Sequence, residues 1–166
     1  MAILLAVPLL GGLLILQTAI LSQIPLLHGT SDLVLLAVIA WALQKRVQTA
    51  WHWGIIGGLM VSFVSGLTLG VYLASYLLSV GMALALRQRV WQAPFLAMLV
   101  AVFFATLITH LLAFLALRLT GVALPPLETV NLVTLPSILL NLLLAIPIYT
   151  LVTDLANWVY PQPLEV

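Results

Sequence analysis

Five basic and four acidic side chains are all the ionised groups that 166 residues carry. A soluble domain is usually about a quarter charged. Most segments of this chain therefore cannot face water. Hydrophobic residues make up 64% of it and the mean hydropathy is +1.29, which puts the chain in a bilayer. A membrane-crossing helix takes about 20 residues, so the length divides more naturally into spans than into domains. Six spans with short connections use it up and leave no room for an extramembrane domain. The fold class expected is an all-α integral membrane protein, a six-transmembrane-helix bundle forming one polytopic domain.

The six apolar stretches cover about residues 2–21, 32–47, 53–66, 68–87, 93–119 and 134–158. The first lacks the basic leading region of a cleaved signal peptide and is expected to be retained as a span. Ser31 or Asp32 can cap the second helix. Lys45, Arg46, Arg87 and Arg89 all fall in the second and fourth connections. Cytoplasmic loops hold the excess of Lys and Arg, which sets those connections and both termini on the cytoplasmic side. Trp51, Trp53, Trp91 and Trp158 fall at the same interface, with Trp41 a turn or two away. Indoles favour that interface, so they are expected to act as anchors there. Arg118 lands near the outer end of a span, where it can snorkel.

Lipid is as apolar as leucine, so helices in it associate through small residues and polar contacts. Gly54, Gly58, Ser62 and Gly66 recur every four residues on one face of the third span. Gly70, Ala74, Gly81 and Ala85 share a face of the fourth, and Tyr72, Ser75, Tyr76 and Ser79 lie opposite. Either small-residue face is a candidate for internal packing or for a partner helix. In the last span, PSILLNLLLAIPIY, Thr134, Ser137, Asn141 and Ala145 form one stripe. An amide facing lipid costs several kcal/mol, roughly 4–8 against a hydrocarbon that cannot hydrogen-bond, so Asn141 is expected to face a neighbour's carbonyl or hydroxyl. Pro136 reads as a first-turn proline that needs no N–H. Pro147 is interior and is expected to kink the helix, freeing the Leu143 carbonyl.

The residues offer little chemistry. Asp32, Glu128, Asp154 and Glu165 fall at span ends, in loops or at the tail, so no mid-membrane carboxylate marks an ion or proton path. His110 shares a face with Thr106 and Ala113. It could pair with Ser65 as an intramembrane Ser-His dyad, but Phe63 stands where such a serine motif has glycine. His28, His52 and His110 sit at different depths and cannot share a metal. No cysteine is present, and GGLMVSFVSG has neither the spacing nor the lysine of a phosphate loop. No cofactor is expected, and a net charge of +1 argues against nucleic acid.

Three features together resemble the rod shape-determining protein MreD family. One is GGLMVSFVSGLTLGVYLASYLLSVGMAL at 57–84, with its Gly-rich span, Ser-Gly turn and Leu-Gly opening. Another is the closing PSILLNLLLAIPIYTLV, with its proline, asparagine, second proline and tyrosine. The third is the layout of basic inner loops and little outside the membrane. The family often has aspartate just before the Ser-Gly turn, where this chain has Ser62. The resemblance implies a non-enzymatic scaffold in the bacterial inner membrane. It would bind MreC and link MreB filaments to RodA and its partner transpeptidase, supporting peptidoglycan synthesis and cell shape. It also implies a fold similar to the S-components of energy-coupling factor transporters. That sets up the alternative, a vitamin-binding subunit with an outer pocket built from His28, Asp32, Glu128 and Asn131 above Tyr72 and Tyr76. That polar supply is thin for a pocket needing several convergent polar groups, and the first helix, which would have to meet a transport module through small residues, has Ala2 and Ala6 and then mostly bulky residues.

Overall fold

The computed structural model describes residues 2–19, 28–89 and 93–161; Trp91, Glu165 and the end of the expected first span lie outside them. Among the described residues every regular element is helical. In order they are α1 (Ala2–Ala19), α2 (Leu33–Leu43), α3 (Ala50–Val64), α4 (Leu69–Arg89), α5 (Pro94–Leu119), α6 (Pro126–Thr129), a π-helical turn (Val130–Thr134) and α7 (Leu135–Val159). Helices α1, α4 and α5, and the continuous run from α6 through α7, are long and apolar enough to cross a membrane. The chain is a multi-pass helical membrane protein.

Helix α2 is the centre of the fold. Its sequence, LVLLAVIAWAL, has no polar side, and a helix apolar all round must be buried. All eleven of its residues are buried, and α1, α3, α4, α5 and α7 all pack against it. At 1.5 Å per residue it is only about 16 Å long, roughly half the ~30 Å hydrocarbon core. The expected span of 32–47 therefore shrinks to a short helix with non-helical chain at both ends. Non-helical backbone is tolerated at membrane depth only where protein or a water-filled cavity satisfies it, and here other segments of the bundle do so.

Helix α1 shows the opposite pattern. Ala2, Ala6 and Leu10 form one narrow buried stripe, while Ile3, Leu4, Val7 and Ile15 are exposed. It packs on α3 and α2 from outside. Helices α3 and α4 form a hairpin across residues 65–68. The Ser62 hydroxyl fastens it, lying 2.6 Å from the Gly58 carbonyl and 2.9 Å from that of Leu69.

The basic end is built on tryptophan and arginine. Trp41 stacks on Trp53 with ring centroids 4.2 Å apart, and both are fully buried. Trp41 Nε1 donates to the Thr49 hydroxyl and Trp53 Nε1 to the Ala2 carbonyl, each at 3.1 Å. The expectation that these two indoles anchor the bundle to the interface is corrected. A buried N–H needs a protein partner, and each finds one inside the bundle. Trp51 and Trp158 are exposed and remain free for the anchoring role.

The last span also differs from its expectation. Residues 120–131 do not all form a connection. The chain turns at Gly121, with φ of 87°, where glycine carries no steric penalty. It becomes helical again at Pro126, giving a run of 34 residues to Val159. Pro136 is in the first turn of α7, as expected, but the helical run already begins at Pro126, so the proline must fit against the turn before it. The π turn absorbs it. Leu135 N bonds to the Val130 carbonyl, five residues back, which opens the helix where the proline ring would otherwise crowd the carbonyl of Leu132. The helix continues through Pro147, on an exposed side that it shares with Leu143.

Candidate functional site

A network of polar side chains lies at the end of the bundle opposite Lys45, Arg46 and Arg87. Pro136 has no N–H, so the carbonyl of Leu132, four residues earlier, lacks its helical donor. It accepts from His28 N at 3.1 Å. One turn further along α7, Ser137 Oγ accepts from Thr30 N at 3.0 Å. A further turn on, Asn141 Oδ1 accepts from Asp32 N at 2.9 Å. Alternate N–H groups of the extended segment 28–32 are thus laid along one stripe of α7. Gly29 permits the approach, because a Cβ there would lie 2.5 Å from Pro136 Cβ and 2.8 Å from Ser137 N.

Asn141 completes the network on the other side. Its Nδ2 donates to Thr106 Oγ1 at 3.0 Å, and Thr106 donates to the Val102 carbonyl at 2.8 Å. One buried amide so links the segment before α2, helix α5 and α7. Asp32 caps α2, accepting from Leu35 N at 3.0 Å. The Tyr76 hydroxyl donates to the same carboxylate oxygen at 2.7 Å. A carboxylate at a helix N-terminus also meets the positive end of the helix dipole. His110 Nδ1 lies 3.3 Å from the Thr134 hydroxyl, and the Ser65 hydroxyl donates to the Ser62 carbonyl. Among the described residues no hydrogen bond joins His110 to Ser65.

Two small cavities flank Asp32. One, of about 210 Å³, is lined by Gln17, Thr18, Thr30, Ser31, Asp32 and Tyr72, with Val61. The other, of about 50 Å³, reaches Thr106, Thr109, His110 and Asn141. Ser31 Oγ and Thr109 Oγ1 are buried without a hydrogen-bond partner. Of the residues expected to form an outer pocket, Asp32 and Tyr72 line these cavities. Tyr76 lies beneath, bonded to Asp32. His28, Glu128 and Asn131 are exposed and line neither.

The two small-residue faces separate cleanly. A Cβ on Gly54 would lie 2.8 Å from Val80 Cγ2, and one on Gly58 would lie 3.1 Å from Leu73 Cα. The face of Gly54, Gly58 and Ser62 is buried against α4 and is internal packing. Gly57, which the four-residue spacing passes over, packs against Val34, Val38 and Tyr76. Gly66 belongs to the turn and has open space around it. The second face points outward. Gly70, Ala74 and Ala85 are exposed, while Gly81 is half-buried with Trp51 beside it. Tyr72, Ser75, Tyr76 and Ser79 take the inner side, the last three fully buried.

No family model, no curated protein and no solved structure matches the chain. What the fold and site define is a class, a helical multi-pass membrane protein with a polar network at one end and an outward small-residue stripe.

Proposed function

We propose that the chain is a non-enzymatic scaffold subunit of the bacterial cell-elongation complex, of the MreD type. It crosses the inner membrane six times, in a fold similar to the S-components of energy-coupling factor transporters, with both termini cytoplasmic. It binds MreC and, directly or through it, RodA with its partner transpeptidase and MreB filaments. The observation that carries this reading is the outward stripe of α4. Small residues let helices approach closely in lipid, and within this chain that device is used on α3 but left uncovered at Gly70, Ala74 and Ala85. A helix of a single-span partner suits such a stripe.

The vitamin-binding alternative is weaker on two counts. The larger cavity beside Asp32, about 210 Å³, falls below the roughly 300–1,000 Å³ of small-molecule sites. Of the six side chains expected to form the pocket, Asp32 and Tyr72 line it and the other four do not.

The test is co-purification from gently solubilised membranes through a C-terminal tag. Wild type is expected to retain MreC. Gly70→Leu and Ala74→Leu are expected to lose it while the protein itself unfolds at an unchanged temperature, because a Cβ at Gly70 meets nothing within 4 Å and Ala74 is exposed. Gly58→Leu is not diagnostic, since it strikes the backbone of α4. Recovery of two ATPases and a coupling subunit in place of MreC would overturn the scaffold reading.

A further inference from the structure

The larger cavity beside Asp32 contains a charge that the bundle does not balance. Asp32 is half-buried, and among the described residues no Lys, Arg or His pairs with its carboxylate. The residues outside the described ones include no Lys, Arg or His. Lys45, Arg46 and Arg87 stand at the other end of the bundle. Arg118 lies over the Phe114 ring and donates to the Leu124 carbonyl. His110, the nearest imidazole, bonds to Thr134. Part of the charge is offset. The start of α2 supplies roughly half a positive charge, and Leu35 N and the Tyr76 hydroxyl donate to the carboxylate. Both of those donors meet Oδ1, so Oδ2 keeps lone pairs for a further partner. A carboxylate at membrane depth without a full counter-charge is costly and calls for a named partner.

A second observation is independent of that charge. Ser31 lines the same cavity, is 5% exposed, and its Oγ has no hydrogen-bond partner. Water in the cavity would satisfy the hydroxyl but leave the charge. A cation answers both, because a hard cation takes oxygen ligands. The wall supplies them from three segments, Gln17 of α1, Thr30 to Asp32 before α2, and Tyr72 of α4. Gln17 Oε1 is only loosely engaged, accepting from Val34 N at 3.5 Å. One carboxylate among uncharged oxygens matches a single positive charge, whereas a divalent ion would leave a net charge in the bundle. About 210 Å³ admits an ion that keeps part of its water shell.

We propose that this cavity binds a monovalent metal cation of the sodium type, held by the Asp32 carboxylate with oxygens of Gln17, Thr30, Ser31 and Tyr72. The bound ion ties α1 to the segment before α2 and to α4. Helix α1 otherwise has only Ala2, Ala6 and Leu10 buried against the bundle, and Gln17 lies two turns beyond the last of them. The ion therefore fastens the end of α1 that apolar packing leaves loose.

The experiment is binding of radioactive sodium to the purified full chain in detergent, with ionic strength held constant by N-methylglucamine chloride. Wild type is expected to bind sodium saturably, one ion to a chain. Asp32→Asn is expected to lose at least about tenfold in affinity, the order of one charge-assisted contact. Asparagine caps a helix as well as aspartate does, so its thermal midpoint in sodium-free buffer should match wild type. Ser31→Ala removes no hydrogen bond and is expected to weaken sodium binding several-fold. It decides the matter alone should Asp32→Asn fail to fold. Asp154→Asn, exposed and near the opposite end of α7, should bind as wild type does. Binding that does not saturate overturns the proposal, as does wild-type affinity in either cavity variant. A loss in Asp154→Asn equal to that in Asp32→Asn would also overturn it, by showing a general effect of charge.

Discussion

At the scale of single residues, Asn141 has a definite task. It gives the Asp32 N–H a buried acceptor and the Thr106 hydroxyl a buried donor, so no apolar side chain of its size can replace it. Asn141→Leu should cost about 1–3 kcal/mol, the penalty for buried groups left without partners. Thermal unfolding in detergent would read it, and an unchanged midpoint would mean that the two groups find other partners. Thr109 makes the converse case. Its buried hydroxyl has no partner, so Thr109→Val should leave stability level or raise it by roughly 1 kcal/mol. A lowered midpoint in the same assay would show that the hydroxyl is bonded after all. The sequence made the cost of a buried asparagine legible. The role of Gly29 was not, because one glycine in a polar loop does not reveal that a proline more than a hundred residues away will lie against it.

At the scale of elements, the two ends of α2 and the two faces of small residues lead to separate expectations. The short central helix is held by Asp32 at one end and by Arg87 across its last carbonyls at the other. Arg87→Gln should weaken that end by about 1.5–3 kcal/mol, the range for hydrogen bonds to a charged group, and Lys should restore only part of it because it lacks the fork. Amide exchange over residues 40–47 is the measurement, and protection as in wild type would count against the capping role. On the small-residue faces, Gly54→Ala must displace Val80 and should destabilise by about 1–3 kcal/mol through overpacking. Gly70→Ala meets open space and should be neutral or stabilising by up to about 1 kcal/mol, the helix preference of alanine over glycine. A denaturation series on the pair would show the two faces to be equivalent only if the shifts coincided.

At the scale of the whole molecule, the bundle has a basic end and an end where backbone and polar side chains interlock, and the orientation proposed puts them on opposite sides of the membrane. The chain has no cysteine, so single cysteines at Lys45 and Glu128, both exposed, can be labelled cleanly. An impermeant maleimide on intact cells is expected to reach position 128 and not position 45, and the reverse pattern would invert the topology. The sequence by itself determined that the chain is helical and in a membrane, because nine charges in 166 residues leave too few groups to face water and lipid admits only internally satisfied backbone. It also determined that small residues would mediate packing and that Asn141 would turn inward. Only the tertiary structure decided which small-residue face is covered, that Trp41 and Trp53 stack inside the bundle, and that Pro136 opens a π turn whose freed carbonyl takes the His28 N–H. Those outcomes depend on which segments meet across long stretches of chain, and local spacing carries no record of that.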